Sequence, residues 1–240
     1  EPLVAVMALY QRDSTALISL KTKGIQEPAD LIGKRILLWN DSVSFKLFAQ
    51  AAGVDLAEMT LVYPEEDQGI MEAAMLFLSG QVDAMVVPGT DVMEQFATIG
   101  IKTNALFLDD YGVANYTNLV VTTEQMIQEQ PDVVQSFVSA TLLGLQSAVD
   151  EPQETAAWFV EHYGDQMLPQ QLESQDEALF AVLPLISPMG SKPGMMTRET
   201  WQYIYDGGVS LGLFDSTLDF TKAYTLQFVD NYYAASAQRP

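Results

Sequence analysis

The chain contains no cysteine in 240 residues, which removes disulfides, thiolate metal sites and cysteine nucleophiles together. Histidine is nearly as scarce. The single one, His162, lies late in a helical stretch beside Tyr163 and Gly164, where a positive imidazole favours a helix end. A Ser–His triad would need that ring beside an activated serine. No glycine-rich phosphate loop occurs, and no His, Cys or regular carboxylate spacing suits a metal, Glu65-Glu66-Asp67 reading as a solvated loop. Basic residues are few, 11 against 32 acidic, for a net charge of -21. A polyanion would be repelled, so nucleic acid is excluded as a partner. The acidity itself fits either a solvated surface of the kind a saline setting favours or an electronegative site for a cationic ligand. No apolar run approaches the ~20 residues that span a bilayer. Glu1-Pro2 does not begin a signal peptide, so the expectation is a soluble, processed protein. Internal repeats, low-complexity tracts and polybasic runs are absent.

What is present is globular: 48% of residues are hydrophobic, enough for one generous domain or two small lobes. Two short strands, Leu3 to Leu9 and Ala16 to Leu20, flank the turn-like Arg12-Asp13-Ser14. A helical turn at Pro28-Ala29-Asp30-Leu31 precedes a third strand, Ile36 to Trp39. Strand and helix then alternate. A helix from Val43 to Ala52, capped by Asp41 or Ser42 and stopped at Gly53, leads to a strand Met59 to Tyr63. A helix Gln68 to Leu78 and a buried strand Val82 to Val87 follow, then a helix Asp91 to Ile99 and strands Asn104 to Leu108 and Asn118 to Thr122. A long helix, Pro131 to Val149, places its proline in the first turn. The remainder reads as helices Glu154 to Tyr163, Leu172 to Pro184, Thr197 to Gly207 and Phe220 to Tyr233, with a turn-rich loop from Ser187 to Gly194. Trp201, Tyr205 and Val209, four apart, read as a helix-packing face rather than a ligand box.

Open α/β lobes bind ligands beyond the carboxyl ends of their strands, so the loops there hold the candidates. Tyr10 and Gln11 follow the first strand. Trp39, Asn40, Ser42 and Ser44 follow the third, Trp39 as core anchor or stacking wall, the serines as N-caps or as holders of a ligand acceptor. Gly89 and Thr90 follow Pro88 and either let backbone approach a ligand or form a plain turn; Asp91 is expected to cap its helix. Tyr111 and Tyr116 can stack on a heteroaromatic ring, with Asn115 and Asn118 offering donors and acceptors to its edge, or they build an ordinary structured crossing.

Several of these stretches carry a resemblance. Ala8-Leu9-Tyr10-Gln11-Arg12, Gly24-Ile25, Pro28-Ala29-Asp30-Leu31 and Gly33-Lys34-Arg35, with the segment Ala73 to Val87 and the run Tyr116 to Glu124, resemble the NMT1/THI5-like branch of solute-binding proteins, the thiamine-pyrimidine-precursor binders. The resemblance implies an α/β, type II periplasmic-binding-protein-like fold of two βαβ lobes and a hinge. It divides the chain into a remnant of lobe 1 with the hinge (1–34), lobe 2 (35–150) and C-terminal helices that brace lobe 1 and the hinge (151–240). Relative to the family pattern, about the first third of the sequence is lacking, so lobe 1 is incomplete. That leaves a fragment, a second chain that completes lobe 1, or a protein that has lost solute binding. The implied activity is non-enzymatic, without cofactor. A small heteroaromatic, pyrimidine-like solute is bound between two lobes and handed to an ABC permease in the membrane, which places the protein in the periplasm or otherwise outside the cytoplasm. A ligand-sensing module of a signalling protein is the alternative. A pyrimidine synthase, as in eukaryotic relatives, fits poorly because its cysteine motif and early histidine have no counterpart here.

Overall fold

In a computed structural model that describes residues 2–39, 42–64, 70–166 and 175–237, the chain forms two compact units. One is Ser14–Val113; the other combines Glu1–Asp13 with Ala114–Pro240. The described strands are β1 (Leu3–Tyr10), β2 (Thr15–Leu20), β3 (Arg35–Leu37), β4 (Thr60–Val62), β5 (Ala84–Pro88), β6 (Thr103–Phe107) and β7 (Thr117–Thr123). The described helices are α1 (Val43–Ala52), α2 (Ile70–Leu78), α3 (Gly89–Thr98), α4 (Glu124–Glu129), α5 (Pro131–Asp150), α6 (Pro152–Tyr163), α7 (Gln175–Ile186), α8 (Arg198–Ser210) and α9 (Gln227–Ser236). No helix among the described residues is long and apolar enough to cross a membrane.

The unit Ser14–Val113 is built on a five-stranded mixed sheet in the order β4-β3-β5-β2-β6. β3 runs parallel to β4 and β5, and β2 runs antiparallel to β5 and β6. Helices cover both faces, which is why β5 reads as an unbroken apolar run and β2 as an apolar run interrupted only by Ser19 after Thr15. Along β2 the side chains alternate between faces. Leu17 joins Ile36, Phe45 and Phe48 in one cluster, while Ala16 and Ile18 join Phe77, Val87 and Phe96 in the other. Helix α1 has the expected bounds because its signals agree. Ser42 Oγ accepts a hydrogen bond from Phe45 N at 3.2 Å, and Gly53 closes the helix with φ of 69°.

In the second unit β1 and β7 form a two-stranded antiparallel sheet, from Leu3↔Thr123 to Tyr10↔Thr117. Val6 and Met7 pack on one side against Val134, Val138, Leu142, Phe228 and Val229. Ala5, Ala8, Tyr116 and Met196 form a second cluster with Trp201 and Tyr224. The expected helix Phe220 to Tyr233 is interrupted, because residues 223–225 run along β1 instead. Ala5 N donates to Ala223 O at 2.8 Å and Thr225 N to Ala5 O at 2.9 Å, so strand pairing overrides local helix propensity there. Pro184 lies inside α7 rather than at its end.

The units divide the chain at 13/14 and 113/114, not at 34/35 and 150/151. The reason is pairing: β2 lies between β5 and β6, so residues 14–34 belong with the sheet, whereas α5 supplies Val134, Val138 and Leu142 to the core around β1.

One carboxylate ties the mixed sheet together. Asp83, immediately before β5, accepts from Lys23 Nζ at 2.7 Å, from Arg35 N at 3.0 Å and from Arg35 Nε at 3.1 Å. Its own N–H donates to Arg35 O at 2.8 Å, and Arg35 Nη2 reaches Gly80 O at 2.6 Å. Burial pushes the Asp83 carboxyl up, but the hydrogen bonds from Arg35 and Lys23 outweigh it and hold the group well below the usual carboxylate range. A depressed folded-state value means that the stabilisation is fully present above the unfolded value of about 4 and is lost as pH falls below it. Asp83→Asn is therefore expected to cost about 2 kcal/mol at pH 7. Urea denaturation at pH 7 and pH 3 checks this, the gap between wild type and variant narrowing at the lower pH.

Candidate ligand-binding site

In the sheet unit, β3, β5 and β6 all run antiparallel to β2 or parallel to a strand that does, so their carboxyl ends share one edge. That edge gathers Trp39, Ser42, Ser44, Gly89 and Thr90. β3 ends at Leu37, not at Trp39, and the indole is 39% exposed, which overturns the core-anchor reading. Ser42 is the N-cap of α1, and Ser44 lies in that helix's first turn. Asn40 and Asp41 lie outside the described residues, as does the loop 65–67.

Gly89 begins α3, and its N–H donates to Ser14 O at 2.7 Å. A Cβ at this position would stand 2.6 Å from Ala16 Cβ and 2.9 Å from Phe107 Cε1. Close packing on β2 and β6 explains the glycine. Because α3 starts at Gly89, the N-cap position falls on Pro88 and Asp91 lies inside the helix. Tyr111 ends a 3₁₀ turn, Leu108–Tyr111, and its ring meets Phe48 edge-on at 5.1 Å, over α1.

The remaining candidates belong to the other unit. Tyr10 closes β1 opposite Thr117. Gln11 is committed to scaffolding: Nε2 donates to Ile186 O at 2.7 Å and Lys192 O at 2.9 Å, while Oε1 accepts from Ser191 Oγ at 3.2 Å. It pins the 187–194 loop to the end of β1. Tyr116 is 7% exposed, so its ring is core and not an open stacking face. Its hydroxyl accepts from Thr197 N at 2.6 Å, and the ring lies 5.8 Å from Trp201. Asn115 Oδ1 accepts from Tyr116 N at 2.9 Å and Nδ2 donates to Asp13 Oδ2 at 3.3 Å. Asn118 is exposed with φ of 55°, a left-handed conformation that asparagine tolerates better than most residues.

Two features escaped the sequence. Asp13 is 2% exposed, a buried carboxylate that holds Asn115, although Arg12-Asp13-Ser14 carries only the local signature of a turn. A hollow of about 690 Å³ also opens beside α8, with Trp201, Ile204, Tyr205, Phe214 and Phe220 among its walls. It contains none of the candidate residues. The packing expected of this helix is nonetheless present: Trp201 stacks on Tyr224 at 5.0 Å and Tyr205 on Phe220 at 5.2 Å.

This architecture is that of the periplasmic substrate-binding proteins. A sulfonate-binding protein of that class, SsuA from Methylobacillus flagellatus KT, superposes with a TM-score of 0.68 over 98% of this chain and 70% of its own, at 15% identity. The desulfurization enzyme DszB shares the fold at a TM-score of 0.60 and 12% identity, covering 98% of this chain and 79% of its own, so the fold alone does not separate binding from catalysis. Within this class the chain belongs to the NMT1/THI5-like family, whose model matches residues 1–155. The formylaminopyrimidine-binding protein of Halalkalibacterium halodurans is 25% identical over 211 residues, 85% of this chain and 62% of that protein. The riboflavin-binding protein RibY of Chloroflexus aurantiacus is 25% identical over 240 residues, 95% of this chain and 65% of that protein. The chain thus spans less than two thirds of the length of either relative.

Two substitutions separate scaffold from site. Gly89→Ala is expected to destabilise by about 2 kcal/mol through overpacking. Tyr116→Phe is expected to cost about 1–2 kcal/mol, since the N–H of Thr197 loses its acceptor. Chemical denaturation monitored by circular dichroism measures both.

Proposed function

We propose that this chain is part of the solute-binding component of an ABC importer, working outside the cytoplasm, and that it holds a small heteroaromatic solute of the pyrimidine-precursor kind without transforming it. The observation that carries this reading is family membership together with two relatives named for nitrogen-heteroaromatic ligands, a formylaminopyrimidine and riboflavin. The net charge of -21 supports a neutral or cationic solute over an anionic one. In the proposed arrangement Trp39 is the stacking wall for the planar ring. Ser44 and the first-turn N–H groups of α1 take a ligand acceptor, with Asn40 as a further ligand group and Thr90 contributing from the start of α3. Gly89 and Tyr111 shape that edge. In the unit that contains β1, Gln11, Asn115 and Tyr116 position the segments that carry Tyr10 and Asn118. An ABC permease would receive the solute, and further polypeptide is proposed to complete the unit that contains β1.

Thermal-shift titration with an N-formyl aminopyrimidine, riboflavin, an alkanesulfonate and nitrate tests the reading. The melting temperature is expected to rise with concentration for the heteroaromatic compounds alone. Trp39→Ala should abolish the shift, and Tyr116→Phe, despite its lower starting stability, should retain it. A shift with alkanesulfonate and none with the heterocycles would refute the proposal.

A further inference from the structure

The hollow beside α8 lies at the opposite end of β1 from Tyr10 and Gln11. Pro2 and Leu3, at the start of that strand, and Glu124, just after β7, line it. At ~3.3 Å per residue the length of β1 puts roughly 20 Å between its two ends. A volume of about 690 Å³ is within the range of small-molecule sites.

The walls are built by hydrogen bonds within the unit. After α8 the chain turns back on the helix: Leu213 N and Phe214 N both donate to Gly208 O, at 2.8 and 3.1 Å, and Tyr205 Oη donates to Ser216 O at 2.8 Å. Phe214 rests on Gly208 so closely that a Cβ there would run into its ring. Trp201, Tyr205, Phe214 and Phe220 line the hollow, and Leu218 at its lip is 54% exposed. Apolar surface is thus left open to water around a preformed recess.

The rim is acidic. Glu124, Asp215 and Asp219 line it against Lys222; adding Arg198, which sits over the Phe220 ring at 5.5 Å, still leaves three carboxylates to two cations. The N–H and hydroxyl of Thr217 hold the Asp215 carboxyl below the usual carboxylate range, and the hydroxyl and N–H of Thr221 do the same for Asp219. All four of these bonds fall on Oδ1 atoms. The Oδ2 atom of each aspartate therefore keeps its lone pairs for a ligand among the described residues.

We propose that this hollow is a second ligand site, separate from the solute site, and that it takes an organic cation, a protonated amine carried on an apolar body of about the size of a ring. The aromatic walls and Leu218 cover the body and bury its apolar surface. The carboxylates of Asp215 and Asp219 hold the ammonium through charge-assisted hydrogen bonds. An anion of the same shape is repelled by the rim and by the net charge of -21. A neutral one gains the apolar contacts alone. The inference goes beyond the solute-binding reading and uses none of its residues as ligand groups.

The test uses the full 240-residue chain carrying Trp39→Phe and Trp158→Phe, which leaves Trp201 as its one indole and makes tryptophan emission a report on the hollow. Phenethylamine, phenethyl alcohol and phenylacetate, alike in shape and differing in charge, are titrated by calorimetry and fluorescence at low salt. The amine is expected to bind one-to-one, to shift Trp201 emission, and to bind at least about tenfold more tightly than the alcohol, with phenylacetate weakest. Asp215→Asn combined with Asp219→Asn keeps a side-chain oxygen for each turn, so the variant should melt close to its parent while losing the preference for amine over alcohol. Absence of binding overturns the proposal, as does binding that leaves Trp201 emission unchanged. Equal affinity for amine and alcohol in the parent overturns it whether or not the double variant folds, and so does a preference that survives in a folded double variant. Trp39 is already replaced here and no probe is a heterocycle, so failure of this test is distinguishable from failure of the solute-binding reading.

Discussion

The mixed sheet depends on the ion-paired cluster around Asp83. A parallel pair such as β3 and β5 has no hairpin to set its register, and only Ile36↔Ala84 and Leu37↔Met85 are paired. Asp83 supplies what a turn would: its carboxylate and N–H engage the side chain, N–H and C=O of Arg35, one step before the first paired residues. Lys23 anchors the same carboxylate to the segment after β2. Three chain segments far apart in sequence are fixed against one another by one acidic group. Replacing it leaves two cations sharing a partly buried position without a counter-charge.

That cluster also explains why the sequence was readable. Arg35 belongs to Gly33-Lys34-Arg35 and Asp83 to the stretch after Ser79-Gly80, the segments whose likeness to the solute-binding family is visible without coordinates. In this chain both residues hold the mixed sheet together, whatever is bound. Element positions in the sheet unit were legible for a related reason. Short apolar runs, a serine cap and glycine stops are local signals, and here the local signals agree with the tertiary structure. The break at residues 223–225 and the unit boundaries were not legible, because both are set by contacts with segments distant in sequence. Nothing near Phe220 announces Ala5.

The candidate site was half legible. Position at the carboxyl edge of the sheet followed from strand order, and Trp39, Ser42, Ser44, Gly89 and Thr90 do converge there. Residue type was a poorer guide than position. Gly89 is required by Ala16 and Phe107, Tyr116 by Thr197, Gln11 by the 187–194 loop. Each is a residue a binding site would choose, placed where one would be sought, and each already has a partner.

Hydrogen-bonding capacity separates the two roles more sharply than residue type can. A side-chain amide has two donors and two acceptor positions. In Gln11 both donors are committed to backbone carbonyls and one acceptor position to Ser191, so a ligand could claim only the last lone pair. Were the amide withdrawn to bind a solute, the carbonyls of Ile186 at the end of α7 and of Lys192 in the loop would lose their partner, at a cost comparable to what one ligand hydrogen bond returns. Trp39 differs, since it is 39% exposed and covering exposed aromatic surface is favourable. Gln11 and Asn115 therefore commit their hydrogen bonds to their own segments, whereas Trp39 presents aromatic surface after the end of β3.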